Sequence, residues 1–288
     1  MAPLVWFITG GSSGFGYYLA LHALAAGHHV IATARSVTKS AQTVQDIEAK
    51  GGKVIELDVT RGETIHQVVK HAESIYGHID VLVNNAGYSV LGAIEDITPV
   101  EAASQFETNF FGPLRLIQAA LPSMRARGTG TIVNVSSVAG QDALPTCGLY
   151  AASKFALEGL SETLSREVAQ FGLSVLIVEP GAFKTNFLDA ARKTDVGLSE
   201  PYRGGIVETV LGKFDPLRGL PKGDPVKGVA RVFEVITGEG VAGDLKGKIL
   251  RLPLGPDCVG RIEGKLKSVS SDLEAAREVA MGTDYDNL

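Results

Sequence analysis

The feature that most constrains the fold is an alternation of short β-branched apolar runs with longer helical stretches over the first 180 or so residues. This alternation is the pattern of β-α-β units, which build parallel sheets. Each run is almost continuously apolar, as expected for a parallel strand that is buried on both faces. We predict strands at residues 4–8, 30–34, 54–57, 81–83, 131–135, 175–178 and 248–252. The sequence therefore predicts an α/β fold, a doubly wound parallel sheet of about seven strands with helices on both faces.

The rest of the chain indicates one domain over residues 1–288, because no repeat, low-complexity tract or linker divides it. Helices are predicted at residues 14–26, 64–76, 100–127 and 149–171, with a terminal amphipathic helix at about 257–280. An insertion is predicted at about 186–228, of which residues 197–228 contain seven Gly and four Pro around a short apolar helix at 206–211. Such a segment is either a mobile surface insertion or a lid over a site, and we favour the lid.

Composition excludes several classes of function. Lys and Arg total 27 against 32 Asp and Glu, a formal charge of −5, which argues against nucleic acid or an anionic membrane as partner. The two cysteines, Cys147 and Cys258, form no CxxC pair, so we expect reduced thiols and no disulfide framework. No export signal or membrane span is recognisable, and we expect a cytoplasmic protein. The six histidines form no metal-binding motif, so we expect no metal.

A glycine-rich turn directly after the first predicted strand indicates a dinucleotide site. It reads T-G-x-x-x-G-x-G from Thr9 to Gly16 and opens a helix. Glycines there permit a tight turn and let a pyrophosphate approach backbone N–H groups at the positive end of the helix. The same pattern would also serve a plain strand-to-helix corner that needs positive φ.

Further motifs follow in a characteristic order. Asn84-Asn85-Ala86-Gly87 comes after the fourth strand, Asn109 lies in a helix, and Ser137 follows the fifth strand. Tyr150 and Lys154 lie on the next helix, and Pro180-Gly181 and Thr185 follow the sixth strand. Together these motifs resemble the short-chain dehydrogenase/reductase family, closely over residues 4 to about 190 and more loosely beyond.

The resemblance implies a Rossmann-type fold and a nicotinamide cofactor. The positions that would contact the cofactor are Gly10, Ser12, Ser13, Gly14, Phe15, Gly16, Arg35, Ser36, Asp58, Val59, Asn85, Ala86, Gly87, Tyr150, Lys154, Pro180, Gly181, Phe183 and Thr185. Those that would be catalytic are Asn109, Ser137, Tyr150 and Lys154. By this resemblance Asn109 holds a water that connects Lys154 to solvent. An Asn that satisfies a kink in a long helix is a second interpretation, and it is compatible with the first.

Physical chemistry supports three of these catalytic roles. Tyr150 and Lys154 are four residues apart, so their side chains share a helix face. A lysine cation about 4 Å away contributes on the order of 4 kcal/mol at an effective dielectric of about 20, and we expect it to lower the pKa of Tyr150. Tyr150 would then act as a general acid or base. The Ser137 hydroxyl can hydrogen-bond a substrate carbonyl and stabilise its developing negative charge.

The end of the second strand determines cofactor choice. An acidic residue there would bind the ribose hydroxyls and repel a 2′-phosphate, whereas an arginine accommodates the phosphate. No Asp or Glu occurs between residues 30 and 45, and Arg35 and Ser36 occupy the position. NADP(H) is therefore favoured over NAD(H). Asp58, by resemblance an adenine contact, would equally serve as the N-cap of the next helix.

The leading hypothesis is an NADPH-dependent carbonyl reductase, reversible as an alcohol dehydrogenase, acting on a medium-sized apolar substrate. The residues expected to line its substrate pocket are Ser89, Val90, Gln141, Leu144, Cys147, Phe183 and those of the 197–228 segment. Two alternatives are a non-redox isomerase or cyclase on the same fold and an NADP(H)-binding redox sensor without turnover. The complete catalytic set argues against both. We also expect a homodimer or homotetramer built on helices 100–127 and 149–171.

Overall fold

The computed structural model describes residues 2–214 and 221–285. In these ranges the strands are β1 (Val5–Ile8), β2 (His29–Ala34), β3 (Lys53–Glu56), β4 (Val81–Asn84), β5 (Val90–Leu91), β6 (Gly130–Val135), β7 (Leu173–Pro180), β8 (Arg192–Lys193) and β9 (Arg251–Leu254). The α-helices are α1 (Gly14–Ala25), α2 (Ala41–Ala49), α3 (Gly62–Tyr76), α4 (Pro99–Phe106), α5 (Gly112–Arg127), α6 (Gly148–Val168), α7 (Phe187–Ala190), α8 (Ile206–Lys213), α9 (Pro225–Thr237) and α10 (Pro256–Met281).

Seven strands form one parallel sheet in the order β3-β2-β1-β4-β6-β7-β9. The predicted doubly wound α/β fold is thus confirmed. From β1 the chain builds the sheet outward through β2 to β3, and it then crosses to the other side of β1 to form β4. The loops that leave β1 and β4 therefore diverge, and a crevice opens between them.

Both faces of the sheet are covered, which explains the continuous apolar runs. Successive strand residues point to opposite faces. Trp6 and Ile8 of β1 pack in one core with buried residues of α1 and α9, whereas Val5 and Phe7 pack in the other with α3, α5 and α6. Each strand residue thus meets a helix on its own side.

The helix predicted at 100–127 is confirmed in its extent, but one of its turns is π-helical. It consists of α4, a wider π-helical turn at Glu107–Phe111, and α5. A capping box begins α4, in which the Thr98 side chain accepts from the Glu101 N–H and the Glu101 carboxylate accepts from the Thr98 N–H. The π-turn buries Asn109 completely. The apolar periodicity of the sequence does not reveal a π-turn, because the same face of the helix is buried before and after the turn.

Two predicted boundaries shift in the second half of the chain. The last strand, expected at 248–252, is Arg251–Leu254, because Gly247 adopts a positive φ of 69° and the Lys248 N–H closes a turn onto the Leu245 carbonyl. The insertion does not extend to residue 228. Asp224 caps α9 by accepting from the Val226 N–H at 2.8 Å, so residues 225–228 belong to a helix that packs against the core. Residues 215–220, also within the predicted insertion, lie outside the described residues.

Helix α10 covers the terminal helix that the sequence predicts at 257–280. Its residues are exposed from Glu263 onward. Helices α2 and α9 were not among the helices predicted from the sequence. None of the helices in the described ranges combines the length and apolar composition that a membrane crossing needs.

Candidate active site

A cavity of about 480 Å³ opens at the carboxyl ends of β1, β4, β6 and β7. Its walls come from the loops after those strands and from α6 and α8. The sequence-predicted cofactor and catalytic residues that line it are Gly10, Ser13, Gly14, Phe15, Asn85, Ala86, Gly87, Ser137, Tyr150, Lys154, Pro180, Gly181, Phe183 and Thr185. Open α/β sheets bind their ligands at this edge, where the strand order reverses.

The loop after β1 is locked against the loop after β4. The Thr9 hydroxyl accepts from the N–H groups of Asn85 and Ala86 at 2.9 and 3.1 Å. In return the Asn85 amide donates to the carbonyls of Thr9 and Gly10 at 2.9 and 3.2 Å. A Cβ on Gly16 would lie 2.5 Å from both the Gly10 oxygen and the Asn85 amide nitrogen, so only glycine fits there. The two loops therefore form one rigid floor.

This floor fits a dinucleotide. Gly10 and Gly14 adopt positive φ values of 63° and 53°, and both line the cavity without a side chain. Helix α1 begins at Gly14, and the side chain of its N-cap, Ser13, accepts no hydrogen bond from the first turn. The first N–H groups of a helix have no partner within it and form the positive end of its dipole. A pyrophosphate is the ligand that such a terminus favours.

Tyr150, Lys154 and Ser137 meet on one wall of the cavity. Tyr150 and Lys154 are buried neighbours on α6, with the Lys154 Nζ 5.7 Å from the centre of the tyrosine ring. The Lys154 ammonium donates to the Val135 carbonyl at the end of β6, at 2.8 Å. The Ser137 hydroxyl is close enough to Tyr150 to act on the pKa of its phenol, and it accepts from the Ala139 N–H at 3.1 Å. The three side chains that the sequence predicts to share one reaction are thus adjacent.

The electrostatics of this wall differ from the sequence prediction. Burial raises the pKa of Tyr150 above its ordinary value, and the nearby Ser137 hydroxyl opposes this only in part. Burial also lowers the pKa of Lys154 to about 8, with the Glu158 carboxylate opposing it. The prediction that Lys154 lowers the pKa of Tyr150 is therefore wrong for this structure. The ammonium is directed to the Val135 carbonyl, and desolvation of the tyrosine outweighs its attraction.

Asn109 is held by the π-turn between α4 and α5. Its amide donates to the Tyr88 carbonyl at 3.0 Å and the Ser153 hydroxyl at 3.1 Å, and its oxygen accepts from the Tyr88 N–H at 3.2 Å. A Cβ on Gly87 would lie 3.2 Å from the Asn109 oxygen and 3.7 Å from the Lys154 Nζ, so both groups flank Gly87. These hydrogen bonds join the π-turn to the loop after β4 and to α6 rather than to the backbone of its own helix, and both the kink interpretation and the water-holding role stay predictions.

Six predicted cofactor residues lie outside the lining of this cavity. They are Ser12, Gly16, Arg35, Ser36, Asp58 and Val59. Arg35 is exposed directly after β2, and the Ser36 hydroxyl lies 3.1 Å from that of Thr38. Because β2 and β3 lie beside β1, the residues after them share its sheet edge. Asp58 does not cap α3: it accepts from the N–H and hydroxyl of Thr60, and Arg61 is the N-cap.

The remaining wall of the cavity, where we expect the substrate to bind, is mainly apolar. Its apolar members are Leu91, Val138, Ala139, Leu144, Cys147, Phe187, Ala190, Ala191, Val210 and Phe214. Ser89, Leu144, Cys147 and Phe183 line the cavity as predicted. Val90 and Gln141 do not. The Val90 N–H donates to Gln105 at 2.7 Å, and Gln141 turns away to two buried carboxylates.

Those carboxylates, Glu158 and Glu179, form a buried cluster that the sequence analysis missed. It lies behind the cavity wall that carries Tyr150 and Lys154, called the catalytic wall below. Glu158 accepts from the Ser136 hydroxyl at 2.6 Å, and Arg251 bridges Glu158 and Glu179 at 3.1 and 3.2 Å. Burial, with the neighbouring Glu158, raises the pKa of Glu179 to about 7. Two features could have indicated the cluster: an acidic residue within an apolar strand, and Glu158 four residues after Lys154.

Comparison with known proteins identifies close similarity along most of the chain. A family model described as short chain dehydrogenase matches residues 4–196. A 3-ketodihydrosphingosine reductase from Bacteroides thetaiotaomicron is 38% identical over 211 residues, 73% of this chain and 76% of that protein. A short-chain dehydrogenase structure from Streptomyces avermitilis superposes with a TM-score of 0.87 and 41% identity, covering 98% of this chain and 99% of that one. A metagenomic short-chain oxidoreductase in complex with NADP gives a TM-score of 0.59 and 32% identity, covering 62% and 82%.

Proposed function

This chain belongs to the short-chain dehydrogenase family, and from that premise we propose that it is an NADP(H)-dependent carbonyl reductase for a medium-sized apolar substrate. Membership makes it an oxidoreductase that uses a nicotinamide cofactor on a small molecule. One observation supports the proposal of a carbonyl reductase for an apolar substrate: Ser137, Tyr150 and Lys154 lie together on a cavity wall that faces apolar side chains. The reductase relative acts, by its name, on a keto group, which agrees with this reaction class.

The residues on the wall suit the reduction of a carbonyl. When bound, the nicotinamide supplies a hydride to the carbonyl carbon. The Tyr150 hydroxyl donates a proton to the carbonyl oxygen, and its raised pKa keeps that proton in place at neutral pH. Ser137, which lines the cavity beside Tyr150, orients the same oxygen. Lys154 stabilises the tyrosinate that remains, and Asn109 is proposed to connect Lys154 to solvent through a water.

The preference for NADP(H) rests on Arg35. The residue is exposed at the end of β2, and it forms no ion pair with any other residue in the described part of the chain. A guanidinium that is free in this way can pair with a 2′-phosphate in a bidentate, charge-assisted contact. The hydroxyls of Ser36 and Thr38 lie beside it as further donors.

We also propose that the part of the insertion before residue 215 covers the substrate. Its strand β8 pairs with β5 next to the cavity, and Val210 of α8 lines the cavity. The Thr194 hydroxyl donates to the Asp96 carbonyl at 2.8 Å, and the Asp195 N–H donates to Glu101 at 2.8 Å. These contacts hold the base of the segment to the body, which suits a lid that moves at its far end.

The helices predicted to form an oligomer carry exposed aromatic residues. Phe111 and Phe155 are 40% and 44% exposed, next to α5 and on α6. Exposed aromatic side chains are typical of protein interfaces, so they support a dimer or tetramer built there. Light scattering would test it. The cytoplasmic location expected from the sequence stays a prediction.

A panel of ketones, quinones and steroids, assayed by NADPH consumption, tests the proposed activity. Tyr150→Phe keeps the ring and removes the proton donor, so we expect turnover to fall by at least about a hundredfold with NADPH affinity retained. Tyr285→Phe, a phenol that is 85% exposed and lies outside the cavity, is the matched control and should be as active as the wild type. A Tyr150→Phe enzyme with full activity would refute the assignment. An active wild type would at once exclude a redox sensor without turnover.

A further inference from the structure

Helix α10 carries an apolar stripe that faces solvent. From Glu263 to Met281 every residue is exposed, a helical length of about 28 Å. Apolar side chains recur along it at alternating spacings of three and four residues. The members of this stripe are Val259, Ile262, Leu266, Val269, Leu273, Ala276 and Ala280. Leu266, Val269 and Leu273 are 63%, 49% and 59% exposed.

The spacing is that of a helix-to-helix seam. Alternating steps of three and four give an apolar repeat of 3.5 residues, which keeps one narrow face toward a partner helix. Helix α9 shows the contrast within this chain, because its apolar residues Val229, Val232 and Phe233 are buried against the body. In α10 the large apolar side chains are instead exposed to water, which is unfavourable unless another helix covers them.

We propose that α10 of one chain pairs antiparallel with α10 of a second copy of the same chain. In the heptad that places Leu266 at position a, the charged g positions are Lys265 and Asp272, and the charged e positions are Glu263 and Arg277. Ser270 at e and Val279 at g are uncharged. Opposite charges therefore occur within each flanking row. In an antiparallel pair, each row lies beside the same row of the other copy, read in the reverse direction.

One register satisfies the g row. With Leu266 level with Val269 of the second copy, Lys265 faces Asp272 of the second copy, while Glu263 lies beside the uncharged Ser270 of the second copy. The two-fold axis of such a dimer repeats each ion pair. The same register stacks Ile262 on Leu273 of the second copy. The Lys265–Asp272 pairs and the apolar layers are thus self-complementary in one arrangement.

A parallel pair would form a different ion pair. There a g residue meets an e residue five positions further along the other copy. Lys265 would face Ser270 and form no ion pair, and Asp272 would pair with Arg277 instead. A parallel pair would also bring both globular bodies to the same end of the helices, whereas an antiparallel pair separates them.

A membrane surface fits α10 less well than a second copy. The helix contains five acidic and four basic residues, so it lacks the excess of Lys and Arg that draws an amphipathic helix to anionic lipid. The acidic residues are Asp257, Glu263, Asp272, Glu274 and Glu278, and the basic ones are Arg261, Lys265, Lys267 and Arg277.

Charge reversal at Lys265 and Asp272 is the sharpest test. Arg277 already contacts Glu274 at 3.1 Å, whereas neither Lys265 nor Asp272 forms an ion pair within the described ranges. Lys265→Asp places like charges opposite one another twice per dimer, and we expect it to raise the dimer dissociation constant about tenfold. Lys265→Asp with Asp272→Lys restores opposite charges and should restore the wild-type value. Lys267→Asp makes the same charge change outside the flanking rows and should leave it unchanged.

Sedimentation velocity from micromolar to hundreds of micromolar supplies the readout, with Leu266→Asp/Leu273→Asp as the disrupting variant. We expect that variant to halve the wild-type mass at high concentration, from tetramer to dimer or from dimer to monomer, with unchanged thermal unfolding of the body and unchanged turnover. Equal masses for wild type and variant at every concentration would overturn the proposal, as would failure of the double charge reversal to restore association. Loss of binding to anionic vesicles without a change in mass would assign the stripe to lipid and also overturn it.

Discussion

Replacing Arg251 by methionine tests the buried cluster behind the catalytic wall. Arg251 contacts three carboxylates: Glu158 at 3.1 Å, Glu162 at 2.6 Å and Glu179 at 3.2 Å. The Glu158 and Glu179 side chains are only 4% and 1% exposed. Methionine fills a similar volume with no charge, so the variant leaves two buried carboxyl groups facing each other.

The expected loss follows from that geometry. Removing one partner of a buried ion pair costs about 3–5 kcal/mol, because the remaining charge is neither solvated nor paired. Arg251 is itself 31% exposed, so water partly replaces it and the lower end, about 3 kcal/mol, applies. For a chain of this size that corresponds to a fall in Tm of roughly 6–12 °C.

The loss should also depend on pH, with a definite sign. An unfolded glutamate releases its proton near pH 4.3, whereas folded Glu179 keeps it up to about 7. Its contribution to stability is therefore fully present below about pH 4 and is lost as the pH rises toward 7. Arg251 holds that pKa down, so its removal raises the pKa further and the loss continues at higher pH. We expect a larger fall in Tm at about pH 8.5 than at about pH 6.

Thermal unfolding followed by circular dichroism at the two pH values is the assay. Arg61→Met is the control, because the Arg61–Glu63 pair spans 3.5 Å with both side chains more than two-thirds exposed. Such a surface pair contributes about 1 kcal/mol at most, without a marked pH dependence. Adding Glu179→Gln to Arg251→Met should recover part of the loss. Equal shifts for Arg251→Met and Arg61→Met, or equal shifts at both pH values, would refute the reasoning.

Three further variants address the catalytic and binding proposals. Arg35→Asp should weaken NADPH binding at least tenfold by calorimetry, since a charge-assisted phosphate contact is worth about 1.5–3 kcal/mol; unchanged affinity would contradict the role of Arg35. Val210→Ala should raise KM several-fold while cofactor affinity is retained, whereas Ile206→Ala, on the exposed side of the same helix, should leave KM unchanged. Equal KM values for the two variants would show that α8 does not contact the substrate. Glu158→Gln removes the carboxylate that holds up the pKa of Lys154, so the alkaline limb of the pH–kcat profile should move to lower pH; a profile that stays in place would separate Glu158 from Lys154.

Much of the fold could be predicted because its signals are local. The apolar run at β1 and the glycines after it specify a strand, a turn and a helix start within a dozen residues. The i, i+4 spacing of Tyr150 and Lys154 places both on one face of α6 before any tertiary contact is known. The parallel, doubly wound sheet followed from the β-α-β pattern, because such crossovers have few allowed topologies, whereas the strand order came only from the structure.

What the tertiary structure decided depends on groups that are distant in sequence. The pKa of Tyr150 rises because residues distant in sequence exclude water around it. The spacing of residues along α6 gives no information about that desolvation. The ion-pair cluster joins Glu158, Glu179 and Arg251 from one helix and two strands, so only folding brings them together. The apolar repeat of α10 can be seen in the sequence, but the sequence does not show that this face is exposed. A local pattern specifies which face of a helix is apolar, and only long-range packing determines whether the chain itself covers that face.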